Sequence, residues 1–314
     1  MIVTEHGNNI SRLLFLRQTS AVSLGVLLPN PFLSPQQSIM VTRKIPSSGE
    51  LIPAVGLGSW ITFNVGDSEA ELSPMRNVLR AFVDAGGKVI DSSPMYGRSE
   101  KVIGKLAAEL KVTDKLWIAT KVWTSGEKSG KAQIENSKEY FRKWPSLLQI
   151  HNLQDVKTHL RTLRSLKEEG SLKYIGITHY LDSEHDALAE LVKSEKLDFI
   201  QVNLSIRNRS AENYLIPLAA DRGVGVIINK PFESGALFPT VDNISLPGWS
   251  KDWGISTWAA YFLKYIISNT NITCPIPATS QVSHLRENMA ACFGPLPDDA
   301  TRKKMADYFA KNAR

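Results

Sequence analysis

Asp84-Ala85-Gly86-Gly87-Lys88-Val89-Ile90-Asp91-Ser92-Ser93-Pro94-Met95-Tyr96-Gly97 decides the fold, because this one stretch closes a helix-period segment, runs through a short apolar core and stops on a carboxylate. Upstream of it Met75, Val78, Leu79, Phe82 and Val83 recur at the spacing of one helix face, with Ser73-Pro74 placed as N-cap and first-turn proline. Gly86-Gly87 ends the helix, since glycine takes the left-handed conformation after a last helical turn at no steric cost. Lys88–Asp91 shows no polar alternation, the pattern of a strand covered on both faces. Helix, glycine, buried strand and polar loop make one α/β unit.

The unit repeats outward in both directions. Strand candidates are Ala54–Gly58, Lys88–Asp91, Leu116–Val122, Leu147–His151, Tyr174–His179, Phe199–Leu204, Val224–Asn229 and Cys274–Pro277. Helical spacing fits Lys101–Glu109, Asp155–Glu169, Ser183–Ser194, Ala211–Asp221, Ser256–Ser268, Ser283–Ala291 and a last segment around Asp298–Ala310. Alternation of this kind predicts a parallel α/β fold. No Gly-x-Gly-x-x-Gly turn follows any strand, so an open dinucleotide-binding sheet has no support. Eight strands in 314 residues match the roughly 250 residues of a closed (β/α)8 TIM barrel. Gly56-Leu57-Gly58 reads on spacing alone as a tight turn, and Trp123–Gly130 and Phe232–Asp252 read as long loops of the kind that bind or cover ligands.

Bulk properties narrow the function classes. A net charge of +6 without a clustered basic stripe argues against a nucleic-acid binder and suits a phosphorylated small ligand. Cys274 and Cys292 form no disulfide framework, and the six histidines have no zincin-type spacing, so no metal is expected. Residues 1–40 stand apart from a barrel domain over 41–314. Ser11–Arg17 is basic, Ala21–Leu28 is apolar and a Pro-rich stretch follows, an order that resembles a twin-arginine export signal with Leu13 in place of the second arginine. The run is too short to span a bilayer. A working signal implies a periplasmic protein, and an inactive one, or a flexible tail, a cytoplasmic protein.

In a parallel barrel the chemistry sits at the C-terminal ends of strands. There Asp91 ends one apolar run with Tyr96 just beyond, Lys121 lies at the end of the next, and His151 ends the third. Singly each has an ordinary explanation, as a cap, a pocket-edge aromatic, a solvated strand end or a satisfied buried histidine. Together they suit reduction of a carbonyl. Hydride arriving at carbon builds negative charge on oxygen, which needs a proton donor and a hydrogen-bond donor. Tyr96 would be the acid, Lys121 would lower the phenol pKa, Asp91 would anchor Lys121, and His151 would orient and polarise the carbonyl.

The stretch 84–97, followed by Ser99-Glu100 and Ile103-Gly104, resembles the signature of the aldo-keto reductases. The likeness continues through Thr120-Lys121-Val122-Trp123, Gln149-Ile150-His151-Asn152, Gly176-Ile177-Thr178-His179, Gln201-Val202-Asn203 and Ile276–Ser280. It implies a barrel whose bottom is closed by a hairpin, here Val41–Val55, and an Asp91-Tyr96-Lys121-His151 tetrad acting with a nicotinamide cofactor, NADPH by preference with NADH possible. The cofactor positions it implies are Gly58, Ser59, Thr178, His179, Gln201, Lys230, Pro231, Thr279, His284, Glu287 and Asn288. Asn229 stands where an aromatic often stacks on the nicotinamide, and Ala278, Thr279 and His284 stand where many members carry Lys-Ser and Arg for the 2′-phosphate, while Arg286 could compensate. Trp60 and Trp123 are pocket candidates, with buried core aromatics as the alternative; the short C-terminus implies an open site, and a monomer or weak oligomer is the expected state. Two other readings are a cofactor-binding regulatory barrel, as in potassium-channel subunits, and a barrel enzyme using Lys121 as an amine nucleophile.

Overall fold

In the computed structural model, which describes residues 39–314, eight parallel strands run in the order of the chain. Nearly all of the signal-like segment lies outside the described residues. A hairpin of β1 (Thr42–Lys44) and β2 (Leu51–Pro53) comes first, paired antiparallel with Arg43 opposite Ile52. The barrel strands are β3 (Leu57–Gly58), β4 (Val89–Asp91), β5 (Trp117–Val122), β6 (Leu147–His151), β7 (Tyr174–Thr178), β8 (Phe199–Asn203), β9 (Gly225–Asn229) and β10 (Cys274–Pro275). Between and after them come α1 (Glu69–Asp84), α2 (Ser99–Glu109), α3 (Glu127–Phe141), α4 (Val156–Glu168), α5 (His185–Ser194), α6 (Leu215–Asp221), α7 (Trp258–Ile267) and α8 (Val282–Ala290), with α9 (Asp299–Asn312) at the end. All eight strand expectations and the hairpin are observed.

The seam between β10 and β3 closes the barrel. Gly56 N–H donates to Pro275 O at 2.9 Å, Gly58 N–H donates to Pro277 O at 3.0 Å, and Gly58 bridges Ala278 in parallel. The Gly-x-Gly is therefore not a tight turn. A Cβ on Gly56 would stand 2.9 Å from Val89 O, and one on Gly58 2.6 Å from Ile276 O, so the missing side chains let the strands meet.

Strand alternation sorts the interior into two layers. Val89, Trp117, Leu147, Tyr174 and Phe199 open their strands and pack inside with Ile45 and Ile52 of the hairpin. Each such burial contributes roughly 1.5–3 kcal/mol, and the hairpin thereby plugs the bottom. Tyr174 fixes it further, its hydroxyl donating to Glu50 Oε2 at 2.7 Å and lying 2.7 Å from Ser48 Oγ. Two or four residues along the same strands, Asp91, Lys121, Gln149, His151 and Gln201 occupy the upper interior, polar where the lower layer is apolar.

Two local expectations are corrected. Helix α1 is capped by Ser68, not Ser73: Ser68 Oγ donates to Glu71 Oε2 at 2.5 Å and accepts from Glu71 N–H, while Glu71 Oε1 accepts from Gly66 N–H at 3.0 Å, and Pro74 lies inside the helix. Trp123–Gly130 is not wholly a loop, because α3 begins at Glu127. Its buried positions are Gly130, Ile134, Ser137 and Phe141, so two of the four inward residues carry no apolar signal. Phe232–Asp252 does lie between elements, folded as short 3₁₀ turns at Glu233–Gly235, Pro239–Val241 and Gly248–Trp253.

Candidate active site

Lys121 is fully buried, and its ammonium donates to Asp91 Oδ2 and to Ser92 O, both at 2.7 Å. It stands 5.0 Å from the centroid of the Tyr96 ring. Asp91 and Tyr96 hold the lysine charged, its pKa above the ordinary value despite burial. Burial pushes the Asp91 carboxyl up, and Lys121 opposes that shift.

The Tyr96 loop is set by its own sequence. Ser93 O accepts from Tyr96 N–H at 2.9 Å, and Gly97, at φ +61°, packs against Asn64 where a Cβ would clash. The phenol pKa lies above its ordinary value: burial raises it, and Lys121 offsets only part. Lys121 pulls the phenol pKa down, but in a dry site the cost of an uncovered phenolate outweighs the ammonium's pull. The phenol is therefore protonated at neutral pH.

His151 faces Tyr96 edge-on with ring centroids 5.8 Å apart. Burial, and then the charge of Lys121, lower its pKa to about 3, so the imidazole is neutral. Its Nδ1 lies 2.9 Å from Ser93 Oγ, which already accepts from Met95 N–H at 3.2 Å. With the Ser93 hydroxyl donating to Nδ1, the remaining imidazole proton sits on Nε2. A neutral N–H donor beside a protonated phenol is what a developing oxyanion requires.

The remaining sequence candidates divide into groups. Ser59 is buried at the end of β3, with its hydroxyl unpartnered. Thr178 and His179 end β7; His179 Nδ1 accepts from Leu181 N–H at 3.3 Å, and its ring stacks on Tyr180. Gln201 accepts from Gln149 Nε2 at 2.7 Å and turns toward Asp91, into the barrel. Lys230, at φ +49°, extends over the Tyr180 ring at 4.5 Å, next to buried Pro231. Beside α8, Thr279 is engaged with Gln281 N–H, Asn288 is buried, Glu287 is half-buried and His284 is exposed. Trp60 and Trp123 are 47% and 39% exposed, so neither is a core aromatic, and Trp123 lies 6.4 Å from the His151 ring.

Sequence reasoning missed a second feature of this face. A cavity of about 300 Å³ beyond the ends of β7, β8 and β9 is lined by Tyr180, Asp182, Asn203, Lys230, Glu233 and Ser234, among others. Asp182 accepts from Asn203 and Asn208, and Glu233 from Ser205 Oγ at 2.6 Å. Lys230, Glu233 and Ser234 all have positive φ, a strained non-glycine loop. The cue was present in Phe232–Asp252, but the partners come from distant strands.

The sequence model of the aldo/keto reductase family matches residues 54–304. The NADH-specific methylglyoxal reductase of Escherichia coli is 27% identical over 245 residues, covering 67% of this chain and 73% of that protein. L-galactose dehydrogenase of Arabidopsis thaliana is 28% identical over 281 residues, covering 79% and 87%. A Klebsiella pneumoniae aldo/keto reductase solved with NADP and acetate superposes with a TM-score of 0.71 at 22% identity, over 86% of this chain and 96% of that one, and so shares the barrel. With the family match spanning every barrel strand and the tetrad residues, the chain belongs to the aldo/keto reductase family.

Proposed function

We propose that this protein is an NAD(P)H-dependent oxidoreductase that reduces aldehydes or ketones to alcohols, with Tyr96 as general acid. The observation that carries the reading is the buried Asp91–Lys121 pair against a protonated Tyr96 and a neutral His151 at the open end of the barrel. A bound reduced nicotinamide supplies the hydride. The residues present fit such a group: Ser59 Oγ, Ser92 Oγ, Asn152 Oδ1 and Asn229 Oδ1 are buried near the strand ends without partners, so a polar ligand there would satisfy groups that are costly to leave unmade. Ser59, Thr178, His179 and Gln201 would hold the ring and its amide. Gly58, Lys230 and Pro231 would hold the parts beyond, and Thr279, His284, Glu287 and Asn288 the adenosine end. Relatives point both ways on the cofactor, the E. coli enzyme being NADH-specific and a Klebsiella structure containing NADPH.

The chain's own residues then divide the work. His151 Nε2–H holds the carbonyl oxygen, Tyr96 gives its proton to that oxygen, and Lys121, anchored by Asp91, covers the phenolate left behind. Trp60 and Trp123 line an open mouth for a small carbonyl substrate. A nucleophilic role for Lys121 is disfavoured because the amine is fully buried and held charged. The intact tetrad also speaks for turnover over a purely regulatory barrel. The test is a spectrophotometric panel of aldehydes and ketones with NADPH and NADH. Tyr96→Phe is expected to lose at least about 100-fold in kcat, the scale of a general acid, with cofactor binding retained. A mutant that keeps wild-type turnover refutes the reading.

A further inference from the structure

Glu100 has no role in the chemistry above, yet it is a carboxyl with only 3% exposure that forms no ion pair among the described residues. Its oxygens accept from hydroxyls alone. Thr120 Oγ1 donates to Oε1 at 2.5 Å, and Ser137 Oγ lies 3.0 and 3.1 Å from the two oxygens. Thr120 directly precedes Lys121 on β5, and strand alternation turns it outward where Lys121 turns inward. Glu100 itself sits in the first turn of α2, four residues after Tyr96. It therefore grips the lysine strand from behind with the helix that continues the tyrosine loop. Gly104 makes this possible: a Cβ there would fall 1.7 Å from Tyr140 O, so its absence lets α3 come close enough for Ser137 to reach the carboxyl.

We propose that Glu100 is a positioning residue for proton transfer, setting the separation of the Lys121 ammonium and the Tyr96 hydroxyl through Thr120 and α2. The inference rests on Tyr96 being the proton donor. An uncompensated buried carboxyl is a poor structural device, since an amide or a well-packed apolar side chain avoids its desolvation. Burial raises its pKa to about 7, against the two hydroxyl bonds and Lys121. The charges it feels are Lys121 on β5 and Asp91 on β4. Ionisation as pH rises through that value adds negative charge behind the lysine, which disfavours the phenolate and weakens Tyr96 as an acid.

Glu100→Gln keeps the shape and one acceptor oxygen, but puts a buried NH2 donor where the second oxygen accepts from Ser137, so it loosens the grip on β5 and α3 and removes the titration. The expected result is a kcat lower by about tenfold, within the range for small misplacement of reacting groups, with KM and cofactor affinity changed less than about twofold and the decline of kcat through neutral pH abolished. A profile that superimposes on wild type after scaling, or an unchanged kcat, overturns the proposal. Should Glu100→Gln fail to fold by circular dichroism, Thr120→Val removes one of the carboxyl's partners and is expected to lower kcat without raising KM; unchanged kcat there overturns it equally. Tyr96→Phe with full turnover would instead sink the parent reading, so the two failures are distinguishable.

Discussion

Replacing Lys121 by methionine tests the buried pair on which the site is built. The side chain is fully buried, and Asp91 is 2% exposed with Oδ1 already unpartnered, so the substitution leaves a dry carboxylate facing a methyl group and strips the Ser92 carbonyl of its donor. Removing one partner of a buried pair costs about 3–5 kcal/mol. In a chain of this size that corresponds to a fall in Tm of roughly 5–8 °C. Asp91→Asn on top of Lys121→Met removes the stranded charge, and most of the lost stability is expected to return. Turnover is not, because Tyr96 still lacks its ammonium and should stay at least about 100-fold down. Thermal melts followed by circular dichroism, with NADPH oxidation measured on the same samples, read both quantities. A single mutant melting within about 2 °C of wild type, or a double mutant no more stable than the single, would refute the argument that the pair carries a desolvated charge.

Other consequences follow from the same geometry. His151 has a folded-state pKa lowered to about 3 against an ordinary 6.5, so its contribution is present above pH 6.5 and is lost as pH falls toward 3, where the unfolded chain takes up a proton the folded one refuses. Proton NMR should accordingly show a neutral, Nε2-protonated ring at pH 5, and an imidazolium there would contradict the assignment. Glu233→Gln takes a negative charge from the cavity beside Lys230 and is expected to tighten NADH binding about threefold at low salt and less at high salt, measured by fluorescence titration; weaker binding would count against Lys230 holding the cofactor. Gly58→Ala forces a methyl toward Ile276 O and should destabilise by about 1–3 kcal/mol in urea unfolding, whereas a neutral result would mean the seam is not tightly closed.

The limits of legibility have physical causes. Runs such as Leu147–His151 stood out because a strand buried on both faces must be apolar over several consecutive positions. The tetrad stood out because its polar members lie at or just beyond the ends of such runs. Helix α3 did not, since Gly130 and Ser137 face inward for close approach and for a hydrogen bond, not for apolar burial. Ser73-Pro74 imitated a helix start that Ser68 and Glu71 make one turn earlier.

Local pattern, then, was enough to determine the eight strands, most of the helices between them, the residues that end each strand and the pairing of an acid with an amine, because backbone hydrogen bonding and burial act on neighbours in the chain. What only the tertiary structure decided is how distant ends meet: the glycine seam, the grip of Glu100 on β5, the Gln149–Gln201 contact under Asp91 and the cavity walled by Asp182 and Glu233. It also decided the sign of the Tyr96 shift, for the cost of burying a charge depends on how much water the whole fold excludes, and no single segment carries that quantity.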